Sequence, residues 1–162
     1  MTSNTEHIQF EIFVKPQFWK DPPHLSILID NQEKHQSLIE HSQVIRFRHT
    51  LALGTHQLTM IRTGKSNQQV RLDDQGNHQG QELFIEWIKI DGVNIRNLVW
   101  TNSYYEPNYP EPWATQQQEQ DIKLERLVPG ETCLSHNGTW RLDFNSPFYR
   151  FLMDWMDNDQ LE

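Results

Sequence analysis

The chain has 162 residues, a formal charge of −8 and 36% hydrophobic content, with six Trp and eight Phe among its residues. One domain is the default at that length, and the acidic balance argues against nucleic acid or an anionic membrane surface as partner, since both favour a basic footprint. The single cysteine, Cys133, excludes an internal disulfide and a cysteine-based zinc site; no apolar run reaches the length of a membrane helix and no signal peptide is visible.

Residues 1–6 are polar and are expected to form a flexible or partner-bound arm. A single domain is expected over 7–157, with an acidic tail at 158–162. From His7 the pattern alternates: Ile8, Phe10, Ile12 and Val14 face one way, as in a half-buried strand that Pro16 ends. Leu25 to Asp30 reads as a second strand. The polar stretch 31–42 is expected to be a loop with at most one helical turn. Val44 to Thr50 forms a third strand, with Ile45 and Phe47 inward. Residues 51–54 connect it to a fourth at Gln57 to Arg62, and the pair reads as a sandwich hairpin. Residues 63–82 are a polar insertion, in which Val70 and Leu72 mark a short strand.

Leu83 to Trp100 is the most apolar stretch. Leu83 to Ile90 reads as a strand buried on both faces, and Asp91-Gly92 as its hairpin turn. Val93 to Trp100 is expected to return beside it. Residues 101–113 hold three prolines in six positions and read as a loop, followed by a short helix from Trp113 to about Gln120. Asn137-Gly138 is a two-residue turn signal. Trp140, Leu142 and Phe144 define the last strand. Phe148, Phe151, Leu152 and Trp155 fall at i, i+3, i+4 and i+7, the stripe of a helix that Ser146 caps and Pro147 opens. Seven or eight strands, turns every 8–15 residues and no βα alternation predict an all-β fold: a jelly-roll-like antiparallel β-sandwich with a short C-terminal α-helix.

No phosphate loop, GxGxxG, GxSxG or HExxH motif occurs, and no catalytic residue is assigned. The aromatic loop is the most functional-looking feature. Tyr104, Tyr105, Glu106, Tyr109 and Trp113 combine rings that stack on sugars or anchor an interface with a carboxylate that bonds hydroxyls. Three readings stay open for it: a cap on its own core, a protein interface, or a carbohydrate platform. Asp73 and Asp74, in an Asp-Asp-Gln-Gly-Asn turn, are the candidate ligands if calcium is bound, although the twelve-residue EF-hand pattern is missing. Otherwise no cofactor is expected. The eight histidines are scattered and read as surface or interface residues. Glu106 and Glu111 are the carboxylates a glycan hydrolase would need, but nothing in the sequence holds them rigid.

GTHQLTMIRTGKSN (54–67), IKIDGVNIRNLVW (88–100), YEPNYPEPW (105–113) and NGTWRLDFNSPFYRFLMDWM (137–156) resemble stretches of small β-sandwich accessory proteins of tailed bacteriophages. The resemblance implies a non-catalytic structural or interaction module of a virion or tail, acting as decoration or adaptor in the virion or, during assembly, in the host cytoplasm. Its partners would be other virion proteins or further copies of itself, with Phe148, Phe151 and Trp155 as the interface. At the level of fold the design also resembles calcium-dependent carbohydrate-binding modules, which is the alternative reading.

Overall fold

A computed structural model describes residues 4–65, 71, 72, 74, 75 and 78–161. In chain order the elements are β1 (Thr5–Gln17), β2 (His24–Ile29), β3 (Gln32–Leu38), β4 (Gln43–Ala52), β5 (Gly54–Thr63), β6 (Arg71–Leu72), β7 (His78–Gln79), β8 (Glu82–Ile90), β9 (Val93–Asn94), α1 (Arg96–Asn102), β10 (Ser103–Pro107), α2 (Trp113–Glu119), β11 (Val128–Pro129), β12 (Cys133–Leu134), β13 (Gly138–Ser146) and α3 (Phe148–Leu161). One sheet runs β12-β8-β1-β4, with β9 also on β8. The other runs β11-β10-β13-β5-β2-β3, and β6-β7 form a separate pair. The pairings are antiparallel, so the expected antiparallel sandwich with a C-terminal helix is the observed one.

Alternation builds the core. Ile8, Phe10, Ile12 and Val14 of β1 face Leu58 and Met60 of β5 and Trp140, Leu142 and Phe144 of β13 across the sheets, and all of these are buried. Phe10 stacks on Phe47 at 5.1 Å and meets the edge of Phe144 at 6.1 Å; Phe144 in turn meets Phe148 at 6.4 Å. This line of rings joins β4, β1, β13 and α3.

Several segments differ from the sequence reading, each for a local reason. Residues 32–38 are strand, not loop: Asp30 and Asn31 both take positive φ (49° and 67°), making a two-residue turn between the paired Ile29 and Gln32. β3 is polar because it is an edge strand with little to bury. β8 is buried on one face only. Phe13 pairs with Trp87 but Val14 with Ile85, so Glu86 is an extra residue in the strand. This bulge shifts the alternation and turns Leu83, Ile85, Ile88 and Ile90 all inward. Asp91-Gly92 is the expected hairpin turn, with φ 49° and 80°, but the chain beyond it returns for only two residues before winding into α1. Residues 103–107 are strand rather than loop, paired with β13 and β11.

Two expected hairpins are instead corners between sheets. β4 pairs with β1, whereas β5 pairs with β13 and β2. Likewise β12 pairs with β8 and β13 with β5 and β10, so Asn137-Gly138 is no hairpin turn. Gly138 is needed for another reason: a Cβ there would run into the Glu106 carbonyl oxygen and the Tyr105 hydroxyl.

Thr5 and Glu6, expected in the arm, belong to β1, and Glu6 caps α3. Its Oε1 accepts the Phe148 N–H at 2.8 Å and the Ser146 hydroxyl at 2.5 Å. The cap therefore comes from the opposite end of the chain, and Ser146 supports it rather than supplying it.

Candidate functional site

The sequence-predicted platform does not form as an exposed row of rings. Tyr105 is 2% exposed, and its hydroxyl donates to the His136 carbonyl. It points inward because strand alternation alternates it with Tyr104 and Glu106, so its assignment as a binding residue is corrected to a core one. Tyr109 and Trp113 lie 6.0 Å apart, and the His136 ring is 5.1 Å from Tyr109 and 5.3 Å from Trp113. The three rings pack on one another, with the Tyr109 hydroxyl donating to the Glu125 carbonyl at 2.6 Å. Tyr104 is half-buried. Glu106 sits 3.9 Å from Arg141, and Glu111 accepts the Thr115 hydroxyl at 2.6 Å. Both carboxylates thus have structural partners, Glu106 across the β10–β13 pair and Glu111 one helical turn along its own segment.

His136 is held in its neutral form. Burial, then the nearby Lys65 and Arg62 charges, lowers its pKa from 6.5 to about 4. The unfolded chain therefore binds a proton that the fold refuses. Stability is full above pH 6.5 and falls as pH drops toward 4, by at most about 3 kcal/mol from this ring. Urea unfolding at pH 7 and pH 4.5 should show the slope, and His136→Phe should flatten it.

Of the proposed interface residues, Phe148 is completely buried because it seats the first turn of α3 on Phe144, and it is unavailable to a partner. Phe151 and Trp155 are half-buried against the core. Among the described side chains of that helix, the outward ones are Tyr149, Arg150, Met153, Asp154, Met156 and Asp157. Asp74 lies in an exposed turn, and Asp73 lies outside the described residues. Among the described residues, no group of three His, Cys, Asp or Glu side chains is placed to hold a metal ion. The described oxygen donors therefore do not assemble a calcium cage.

A groove of about 780 Å3 lies elsewhere, along the edge of β8 away from β1. On that edge β12 covers Leu83 and Phe84, and β9 covers Lys89 and Ile90. Between them, among the described residues, no strand lies beside Glu86 and Trp87. α1 forms the other wall. Ile95, Leu98 and Val99 are buried, which fixes the helix face turned to the core. Arg96, Asn97 and Trp100 share the opposite face, since residues three and four apart are neighbours on a helix. Trp100 is 72% exposed. Asn94 accepts the Arg96 N–H at 3.0 Å through Oδ1, so its oxygen is committed to the start of α1. Trp87 is braced: Lys89 Nζ sits 4.6 Å from its ring centroid, and Phe13 meets it edge-on at 5.6 Å. Trp100 has no such ring partner among the described residues. Gly130 lets the β11 end close behind it: its φ is +66°, and a Cβ there would lie 2.7 Å from the Trp100 carbonyl oxygen.

Sequence reasoning missed this groove because it read 93–100 as a strand. The signal was present. Ile95, Leu98 and Val99 are spaced i, i+3, i+4, the helical period. The groove combines one exposed indole, the edge of a second, two asparagines, Arg96 and the exposed Glu86. That set stacks an apolar ring face and hydrogen-bonds hydroxyls; it contains no nucleophile–base pair.

No family model matches the sequence, and no curated protein matches it. Among solved structures, the chain is similar in fold to vCBM60 in its selenomethionine form, described with a circular permutation that links two families of calcium-dependent carbohydrate-binding modules. Identity is 10%, coverage 83% of this chain and 89% of that one, and the TM-score 0.52. vCBM60 in complex with galactobiose aligns at 9% identity over 85% of this chain and 97% of that one, with a TM-score of 0.50. At such identities the likeness is one of fold: this chain is a β-sandwich whose structural neighbours are carbohydrate-binding modules.

Proposed function

We propose that the chain is a non-catalytic binding module whose ligand is a glycan held in the β8–α1 groove. The observation that carries the reading is Trp100, a large aromatic presented to solvent beside Asn94, Arg96 and Asn97. Indoles stack on the C–H faces of sugar rings, and amides and guanidinium groups bond hydroxyls in defined directions. A cleft of this size takes a short oligosaccharide rather than a protein surface. The galactobiose complex of vCBM60 supports the ligand class. Calcium dependence is described for those neighbours; here the calcium reading rests on Asp73 and Asp74 alone.

The test is a glycan array probed with the whole chain, once with calcium and once with a chelator. Selective binding to a subset of glycans is expected. A flat array in both conditions contradicts the reading, and loss with the chelator identifies calcium as part of it.

A second reading, an accessory protein of a tailed-phage virion, is favoured by the four resembling stretches and by the outward Tyr149, Met153 and Met156 of α3, an apolar stripe flanked by the exposed Arg150, Asp154 and Asp157 and suited to other virion proteins or a second copy. Copurification with particles at defined copy number supports it. Elution as a monomer that never associates with virions contradicts it. The two readings use different surfaces, so each test bears on its own.

A further inference from the structure

A second concavity lies at the opposite edge of the β1-containing sheet from the β8 groove. It is a cleft of about 530 Å3 between the edge strands β3 and β4, lined by His7, Gln32, Lys34, Arg48, His49 and Thr50. In a chain of net charge −8 this lining is unusual. It holds two permanent cations, two imidazoles, an amide and a hydroxyl, and no carboxylate. Arg46, Lys123 and Arg141 each have a carboxylate within 4 Å, whereas Lys34 and Arg48 have none among the described residues. One opposing charge, Asp30, acts on His49, and its oxygens are hydrogen-bonded to His56 at 2.5 Å and to the Gln57 N–H at 2.8 Å. His7 and Thr50 are paired across β1 and β4 and hydrogen-bonded at 2.7 Å, which fixes the mouth of the cleft.

Charged residues on edge strands often serve only to discourage strand addition. That role needs charges spread along the edge and pointing to solvent. Here donors from three strands line one concavity, and no carboxylate is among its lining side chains. Arg and Lys together match a tetrahedral oxyanion, Arg through its fork and Lys as a point charge. The volume exceeds that of a bare ion and matches a small molecule carrying one.

We propose that the β3–β4 cleft binds a phosphate or sulfate monoester of a small molecule, with Lys34 and Arg48 as its charged anchors and Gln32, His49 and Thr50 as further hydrogen-bonding groups. The site is independent of the glycan groove. Burial, then the Lys34 charge, lowers the His49 pKa, with Asp30 opposing them.

Amide NMR titrations test it with inorganic phosphate, glucose 6-phosphate and a glucose sulfate, each against sodium chloride at matched ionic strength. Saturable shifts centred on Gln32, His49 and Thr50 are expected with at least one of the esters; which ester gives them identifies the source. Lys34→Gln and Arg48→Gln, both at sheet edges, should each weaken binding about tenfold while thermal unfolding stays unchanged. Trp100→Ala should leave these shifts intact, which separates this site from the groove. Shifts reproduced by sodium chloride, shifts by inorganic phosphate alone, or affinities unmoved in both Gln variants overturn the proposal.

Discussion

Arg62→Ala should destabilise the fold by about 3–5 kcal/mol, the upper part of the range for truncating a large buried side chain and leaving a buried acceptor unpaired. Arg62 is completely buried on β5. Burial pulls its pKa down to about 10, so it still carries its charge at neutral pH. One guanidinium nitrogen donates to Asn137 Oδ1 at 2.7 Å, and the other donates to the Gln81 carbonyl. Asn137 also accepts the Lys65 N–H and donates to the Lys65 carbonyl, both at 2.9 Å. The Gln81 side chain reaches the Asp21 and Gly64 carbonyls at 2.8 and 3.2 Å. Through Asn137 and Gln81, a single arginine thus ties together four segments between strands, at Asp21, Gly64-Lys65, Gln81 and Asn137. Truncation leaves a cavity and a buried carbonyl without that donor, and the two costs add. Urea unfolding of wild type and variant gives the difference directly. A loss under about 1 kcal/mol would show that Asn137 and Gln81 hold these connections without Arg62.

Trp100→Ala should do the reverse: leave stability within about 0.5 kcal/mol, as for an exposed residue, and weaken glycan binding about thirtyfold. That factor corresponds to about 2 kcal/mol, the loss typical of a dominant aromatic contact. Stability is spared because the buried side chains of α1 are Leu98 and Val99, not Trp100. Binding suffers because the other indole of the groove, Trp87, already has Lys89 over its ring and Phe13 at its edge. Asn97→Ala should cost less, since one neutral hydrogen bond contributes about 1 kcal/mol.

The strands with one wet and one dry face were legible in the sequence. β1, β2, β4, β5 and β13 alternate, and their apolar positions are the observed core. α2 and α3 were also legible, through Pro112 and through the stripe of Phe148, Phe151, Leu152 and Trp155. What escaped was set by tertiary placement. β3 has no apolar alternation because it borders solvent, and only Asp30-Asn31 betrays its hairpin. The Glu86 bulge exists because β8 must keep both ends of its apolar set facing inward beside β1, a constraint that no local pattern expresses. β10 is a strand despite its prolines because only Pro107, at its end, falls within it. The sandwich corners at Leu53 and at residues 135–137 look like hairpins locally, since a short connection reads the same whether the next strand pairs with its predecessor or crosses to the other sheet.

The site shows the same division. The sequence drew attention to Tyr104, Tyr105, Tyr109 and Trp113 because aromatic rings crowd there, yet crowding is also what lets rings satisfy one another. Tyr105 is buried, and Tyr109, Trp113 and His136 pack together. Trp100 reads in the sequence as the end of the returning segment, because it closes an apolar run, where a buried ring is the default. Its exposure follows from helical phase, which places it opposite Leu98 and Val99.

The most direct measurement is calorimetric titration of wild type, Trp100→Ala and Tyr109→Ala with the best glycan from the array. Loss of binding in Trp100→Ala with retention in Tyr109→Ala is the result predicted for the β8–α1 groove. Retention in Trp100→Ala with loss in Tyr109→Ala would move the site to the 104–113 segment and contradict the assignment.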